Sequence, residues 1–171
     1  MLANKPTLYP DTNIFSSIHY NGGSSILLRR CVKTREWWNV ERRHFHLVSS
    51  KLTEDELSAG VYSGQDHALA AARRLPYLTP TADVKRCATV YLECGVVPAN
   101  KVGDAAQLAF TVVHRVDYLL TWNHAHLANV EIVKKLNAVN ARNGWRTPLI
   151  VTPESIPWNA LGQSIRRRDE A

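Results

Sequence analysis

Apolar positions along the chain alternate between two spacings. Short runs at Thr7-Leu8-Tyr9, Phe45-His46-Leu47-Val48, Tyr118-Leu119-Leu120-Thr121 and Pro148-Leu149-Ile150-Val151 read as strands bounded by turn residues. Pro10 has no N–H for a ladder and marks the end of the first strand; Ser49-Ser50 closes the second. Between the strands, apolar residues return every three or four positions. Val84, Cys87, Ala88, Tyr91 and Leu92 follow the i, i+3, i+4, i+7, i+8 rule of an amphipathic helix. Ala105, Leu108, Ala109, Val112 and Val113 repeat that spacing, and Ile132, Val133, Leu136 and Val139 line another helix that Gly144 ends. Helices are also expected over about 25 to 43, capped by Ser24 or Ser25, and over 65 to 75, followed by a short strand at Tyr77-Leu78-Thr79. Thr53 and Glu56 stand at capping-box spacing in one more helix start. Strands alternating with helices predict an α/β fold, a mostly parallel central sheet sandwiched between helical layers.

The 171 residues fit one domain. With no repeat or linker in view, we expect a single domain over residues 1–157. Beyond Trp158 no packing pattern remains, and 158–171, with Arg166-Arg167-Arg168, reads as a basic, mobile tail. No run reaches the length of a membrane span and no signal peptide is visible, so no membrane partner and a cytoplasmic location are expected. Three cysteines without metal-ligand spacing agree with that setting.

A net charge of +6 suits a polyanionic partner such as nucleic acid. Arg29, Arg30, Lys33, Arg35, Arg42 and Arg43 crowd one stretch, which a solvated face explains as well as a binding surface does. Trp37-Trp38 within it suits base stacking or an anchored partner, or one ring packed inward and the other over apolar surface. The seven histidines form no convincing metal or acid–base set: His124 and His126 are spaced i, i+2, His44 and His46 flank Phe45, and His114 falls in a helix.

Three acids change the picture. Asp11 follows the first strand, Glu56 lies in the helix after the second, and Asp104 sits in the first turn of a helix before the strand at 118–121. Asn123 follows that strand. All four belong at the carboxyl edge of a parallel sheet, where open α/β folds bind ligands, whereas Asp117 precedes its strand and belongs at the opposite edge. Gathered carboxylates repel and need a cation, and oxygen-only ligands suit Mg²⁺ or Mn²⁺. Taken singly, each acid is better explained as a turn, cap or first-turn residue, and only their joint placement points to a metal.

Asp11-Thr12-Asn13, Ser50-Lys51-Leu52-Thr53-Glu54-Asp55-Glu56, Asp104-Ala105-Ala106-Gln107-Leu108-Ala109 and Asp117-Tyr118-Leu119-Leu120-Thr121-Trp122-Asn123 resemble, in order and spacing, the motifs of PIN domains. The string Leu119-Leu120-Thr121-Trp122-Asn123, with His126-Leu127-Ala128-Asn129 after it, is similar to a bacterial VapC-like subgroup. The resemblance covers residues 7 to about 154. It implies a three-layer α/β/α sandwich and a Mg²⁺- or Mn²⁺-dependent endoribonuclease, the toxin of a type II toxin–antitoxin pair. It further implies Asp11, Glu56 and Asp104 as catalytic, metal-binding acids, Asn123 as a further metal ligand, and Thr12, Asn13 and Thr121 as supports. RNA would be the substrate, with a cognate antitoxin and a second copy of the chain as partners. The departure is Asn123, where many PIN domains carry a fourth Asp; an uncharged amide there favours one metal over two. The rival expectation is a degenerate, non-catalytic RNA- or protein-binding module. Phosphoryl transfer from a small ester fits less well, because Asp11 lacks the Asp-x-Asp arrangement of an aspartyl nucleophile.

Overall fold

Strand β1 (Thr7–Pro10) sends Leu8 to one face of a sheet and Tyr9 to the other, and both side chains are fully buried. Burial on both faces belongs to a parallel strand with helices on either side. In the computed structural model, which describes residues 5–20 and 22–156, β1 lies between β2 (His46–Leu47) and β5 (Tyr118–Leu120). β6 (Leu149–Val151) pairs with the far side of β5, giving the order β2-β1-β5-β6 with every pair parallel. Only Val48 separates β2 from β3 (Ser49–Ser50), which pairs in parallel with β4 (Tyr77–Leu78).

Seven α-helices among the described residues cover the two faces. On the face of Tyr9 and Leu119 lie α5 (Ala82–Glu93), α6 (Val102–Val113) and α7 (Val130–Asn143), packed through Val84, Tyr91, Leu108 and Leu136. On the face of Leu8 and Leu120, α1 (Thr12–His19) contributes Ile14 and α2 (Ser25–Val40) contributes Trp37. Behind α1, Phe15 packs with Leu57 of α3 (Lys51–Ser58) and with Ala68 and Ala72 of α4 (Gln65–Arg73). The alternation of single strand residues thus builds two separate cores, and the fold is a three-layer α/β/α sandwich with a parallel central sheet.

Local details depart from the sequence expectations in four places. α1 itself is not among the expected helices, because Ile14, Phe15 and Ile18 supply only one turn of periodicity. The helix expected to reach residue 43 stops at Val40, and Arg42–His44 form a 3-10 turn in which His44 and Phe45 donate to the carbonyls of Glu41 and Arg42. His44 therefore does not share a strand face with His46, and Phe45 is fixed between the Trp37 and Tyr118 rings. Ser49-Ser50 does not merely close a strand but pairs with β4. Finally, α3 is capped by Ser50, whose hydroxyl accepts from the Thr53 N–H at 3.3 Å; Thr53 is buried and bound to the Tyr9 hydroxyl at 2.7 Å. No capping box forms, and Glu56 is left for other work. Trp37 is buried while the half-buried Trp38 ring lies under the Arg42 guanidinium, 4.8 Å away. Among the described residues no helix is long and apolar enough to cross a membrane. The tail 158–171 lies outside the described residues.

Candidate active site

Pro10 ends β1 and Thr12 begins α1, so Asp11 occupies the turn at the carboxyl edge of the sheet. Its backbone N–H still donates to the Leu120 carbonyl of the neighbouring strand at 2.9 Å. An Asp at this position ordinarily caps its own helix. Here the side chain makes no capping hydrogen bond and turns toward the end of β5, where Oδ2 accepts from Asn13 Nδ2 and from the Thr121 hydroxyl. Asn13 Oδ1 in turn accepts from the Trp122 backbone N–H at 3.0 Å, and Thr121 Oγ1 accepts from the Asn123 N–H at 2.9 Å. The carboxyl ends of two neighbouring strands, β1 and β5, are thereby laced around one carboxylate.

Glu56 approaches from α3, in the second turn after the Ser50 cap. Its Oε2 accepts from the Thr12 hydroxyl and, at 2.9 Å, from Gln107 Nε2. Gly103 lets α6 come this close: a Cβ added there would lie 2.7 Å from Glu56 Oε1. Asp104, in the first turn of α6, accepts from Asn123 Nδ2 at 3.1 Å, while Asn123 Oδ1 accepts from the His126 N–H at 3.0 Å. Both halves of the Asn123 amide are therefore engaged within the protein. Gln107 and Gly103 were not singled out as site residues from the sequence. Gln107 stands three residues after Asp104 on one helix, spacing that puts both on one face, and that was the available signal.

Burial governs the charges. Removal from water pushes the Asp11 carboxyl up to about 6; hydrogen bonds from Thr121 and Gln107 oppose the rise and the nearby Glu56 carboxylate adds to it. Desolvation also raises Asp104, against the pull of His126 and Lys101. Behind the site, burial pushes the Tyr9 phenol up to about 12, and its hydroxyl ties Ser50 and Thr53 to β1. Among the described residues no Lys or Arg forms an ion pair with Asp11 or Glu56.

Two neighbouring carboxylates without a cationic partner, both oxygen donors, match in kind what a hard divalent cation binds. A buried amide oxygen, Gln107 Oε1, has no hydrogen-bond partner beside them. The donors thus fit such an ion, but their arrangement is narrower than three acids around one point. No group of three His, Cys, Asp or Glu side chains able to hold a metal occurs among the described residues. The structure brings Asp11 and Glu56 together and joins Asp104 to them through Asn123 and Thr121. A mainly apolar cleft of about 300 Å³ opens beside Glu56 and Thr12, lined also by Tyr20, Leu57 and Tyr62.

Other candidates lie elsewhere or are already engaged. His124 tilts against Trp122, with ring centroids 6.2 Å apart, and His114 contacts the Thr79 carbonyl at 2.9 Å. Asp117 sits at the amino end of the sheet, where it accepts from the Thr7 N–H and from Arg146. In the basic helix α2, Arg30 lies over the Trp122 ring at 5.7 Å, next to the site, while Arg29 and Lys33 are paired with Glu154 and Glu36.

No protein-family model matches the chain, and neither curated proteins nor solved structures give a significant match. The functional reading therefore rests on the residues themselves.

Proposed function

We propose that this chain is a PIN-domain-like endoribonuclease dependent on Mg²⁺ or Mn²⁺ and acting as the toxin of a toxin–antitoxin pair. One observation carries the nuclease reading: a buried carboxylate at the carboxyl edge of a parallel sheet, beside a second carboxylate, with no Lys or Arg among the described residues paired to either. Asp11 and Glu56 would hold the ion, with Asp104 completing the acidic set from α6. Bound there, it would position a water for in-line attack on phosphorus and offset the charge that develops. The rest belongs to the chain. Thr121 and Asn13 fix the Asp11 carboxylate, Thr12 and Gln107 fix Glu56, and Asn123 orients Asp104. Arg30 beside Trp122 places positive charge at the rim, where an RNA backbone would approach. The antitoxin and a second copy of the chain are the partners this reading brings with it.

A second reading is favoured by Asn123. It carries no charge and both halves of its amide are occupied, so the protein can instead be a degenerate module that binds RNA or protein without turnover. One experiment separates the two. Purified protein is incubated with a fluorescent RNA oligonucleotide mixture in Mn²⁺, Mg²⁺ or EDTA, beside Asp11→Asn. Cleavage that needs the metal and is lost in the variant supports the nuclease. RNA retention insensitive to EDTA, with no cleavage, supports the binding module. An Asp11→Asn protein that cuts as well as the parent sinks the proposed mechanism.

A further inference from the structure

Gln107 carries a buried conflict. Only 3% of the residue is exposed, and its Nε2 donates to Glu56 Oε2 at 2.9 Å, close enough to Asp11 to help stabilise that carboxylate as well. The two carboxylates accept and cannot donate, so the amino half of the amide has to face them. That orientation leaves Oε1 buried without a partner. Buried polar atoms in folded proteins are nearly always hydrogen-bonded, so an orphaned amide oxygen beside a functional pair of acids calls for an explanation. A leucine would fill the same space with no polar atom to satisfy. Gln107 therefore does something that packing does not require.

The amino group of Gln107 occupies the role a cation would take, a positive end held against two like charges. The two halves of a primary amide are nearly the same size, and the last torsion of Gln is soft and roughly two-fold. The side chain can turn over without changing the volume it fills. Turned over without an ion, both halves of the amide would lack a partner, and a bond from Oε1 to an incoming ion returns the count to one, so the ion decides the balance. We propose that the Gln107 amide is a cation-responsive element: its amino half clamps Asp11 and Glu56 in the absence of metal, and it reverses to offer Oε1 as a further oxygen ligand when a divalent cation binds. This rests on the reading of Asp11 and Glu56 as a cation site, and it supplies an uncharged third protein oxygen.

The test uses the full chain and two substitutions, Gln107→Glu and Gln107→Leu. Mn²⁺ is titrated by calorimetry, and thermal unfolding is followed in EDTA and in Mn²⁺. Gln107→Glu presents an oxygen permanently, so it should bind Mn²⁺ about tenfold or more tightly than the parent. In EDTA the same variant should melt below the parent, since three carboxylates then meet unclamped, and Mn²⁺ should restore it. Gln107→Leu should bind about tenfold more weakly. The side-chain amide signal of Gln107, assigned by its loss in Gln107→Leu, should move on adding diamagnetic Mg²⁺. Unchanged affinity in both variants, or an amide signal that Mg²⁺ leaves in place while the parent binds the ion, overturns this proposal alone. A parent that binds no divalent cation overturns the site reading and this proposal with it.

Discussion

Two aspartates on neighbouring strands, at opposite ends of the same sheet, live under opposite rules. Asp117 precedes β5 and is fully answered: Thr7 gives it a backbone N–H at 2.8 Å and Arg146 a guanidinium at 2.6 Å, in a partly exposed position. Asp11 follows β1 and is 4% exposed, near another carboxylate, with no ion pair among the described residues. The first arrangement stabilises the fold. The second costs stability, because a buried carboxylate with neutral donors alone is poorly compensated. An expense of that kind is characteristic of sites that bind or react.

The largest effect expected is on Asp11 itself. Under the nuclease reading, Asp11→Asn should lower RNA cleavage about a hundredfold or more, the scale of losing a directly acting group. The same substitution should raise metal-free stability. Burial pushes the folded carboxyl up to about 6, above the roughly 3.9 of an unfolded aspartate, so between those pH values the folded chain holds more protons than the unfolded one. Stability is then highest below the unfolded value and is lost as pH rises from about 4 to about 6, by on the order of 3 kcal/mol. Denaturant unfolding in EDTA at a series of pH values should show that decline in the parent and a flatter profile in Asp11→Asn. A parent profile that rises across this window would remove the contrast with Asp117.

Next come the residues that hold the acids without being acids. Thr121→Val keeps the shape and deletes the hydroxyl that donates to Asp11 and accepts from Asn123. Loss of such a support typically weakens metal binding or activity about tenfold to a hundredfold. Gly103→Ala should act on the other acid. The added methyl meets the mobile end of Glu56, so the fold yields easily while the carboxylate is displaced. Activity should fall about tenfold with the melting temperature nearly unchanged. Equal losses of activity and stability would instead mean that Gly103 is only a packing position.

How much of this was legible in the sequence follows from the kind of interaction involved. The sheet and both helical layers could be read, because Leu8-Tyr9 and Tyr118-Leu119-Leu120 are short apolar runs separated by helical periodicity. The carboxyl-edge placement of Asp11 and Asn123 followed from strand direction alone. The helix α1 was obscured by its eight-residue length and by Ser16, Ser17 and His19, which dilute its apolar face. The capping of α3 was misplaced because Thr53 has the right spacing but is committed to Tyr9 from a different strand, a partner 44 positions away. Gln107 offered only its helical spacing from Asp104, and its contact with Glu56, like the role of Gly103, stayed hidden for the same reason. An amide that donates to Glu56 and a glycine that admits α6 beside it are set by tertiary approach, which local pattern does not encode.

The smallest expected effect closes the comparison from the other end. Asp117→Asn keeps an acceptor for the Thr7 N–H but gives up the charge that Arg146 meets. With Arg146 more than half exposed, the pair is partly screened, and the loss should be about 1 kcal/mol or less. RNA cleavage and Mn²⁺ affinity should be unchanged, since Asp117 is at the sheet edge away from Asp11. Denaturation at 0.05 and 0.5 M salt checks the origin: the parent should lose about the increment that the variant never had. If Asp117→Asn instead reduced cleavage as Asp11→Asn does, the two ends of the sheet would not be separable, and the assignment of the site to the carboxyl edge would fall.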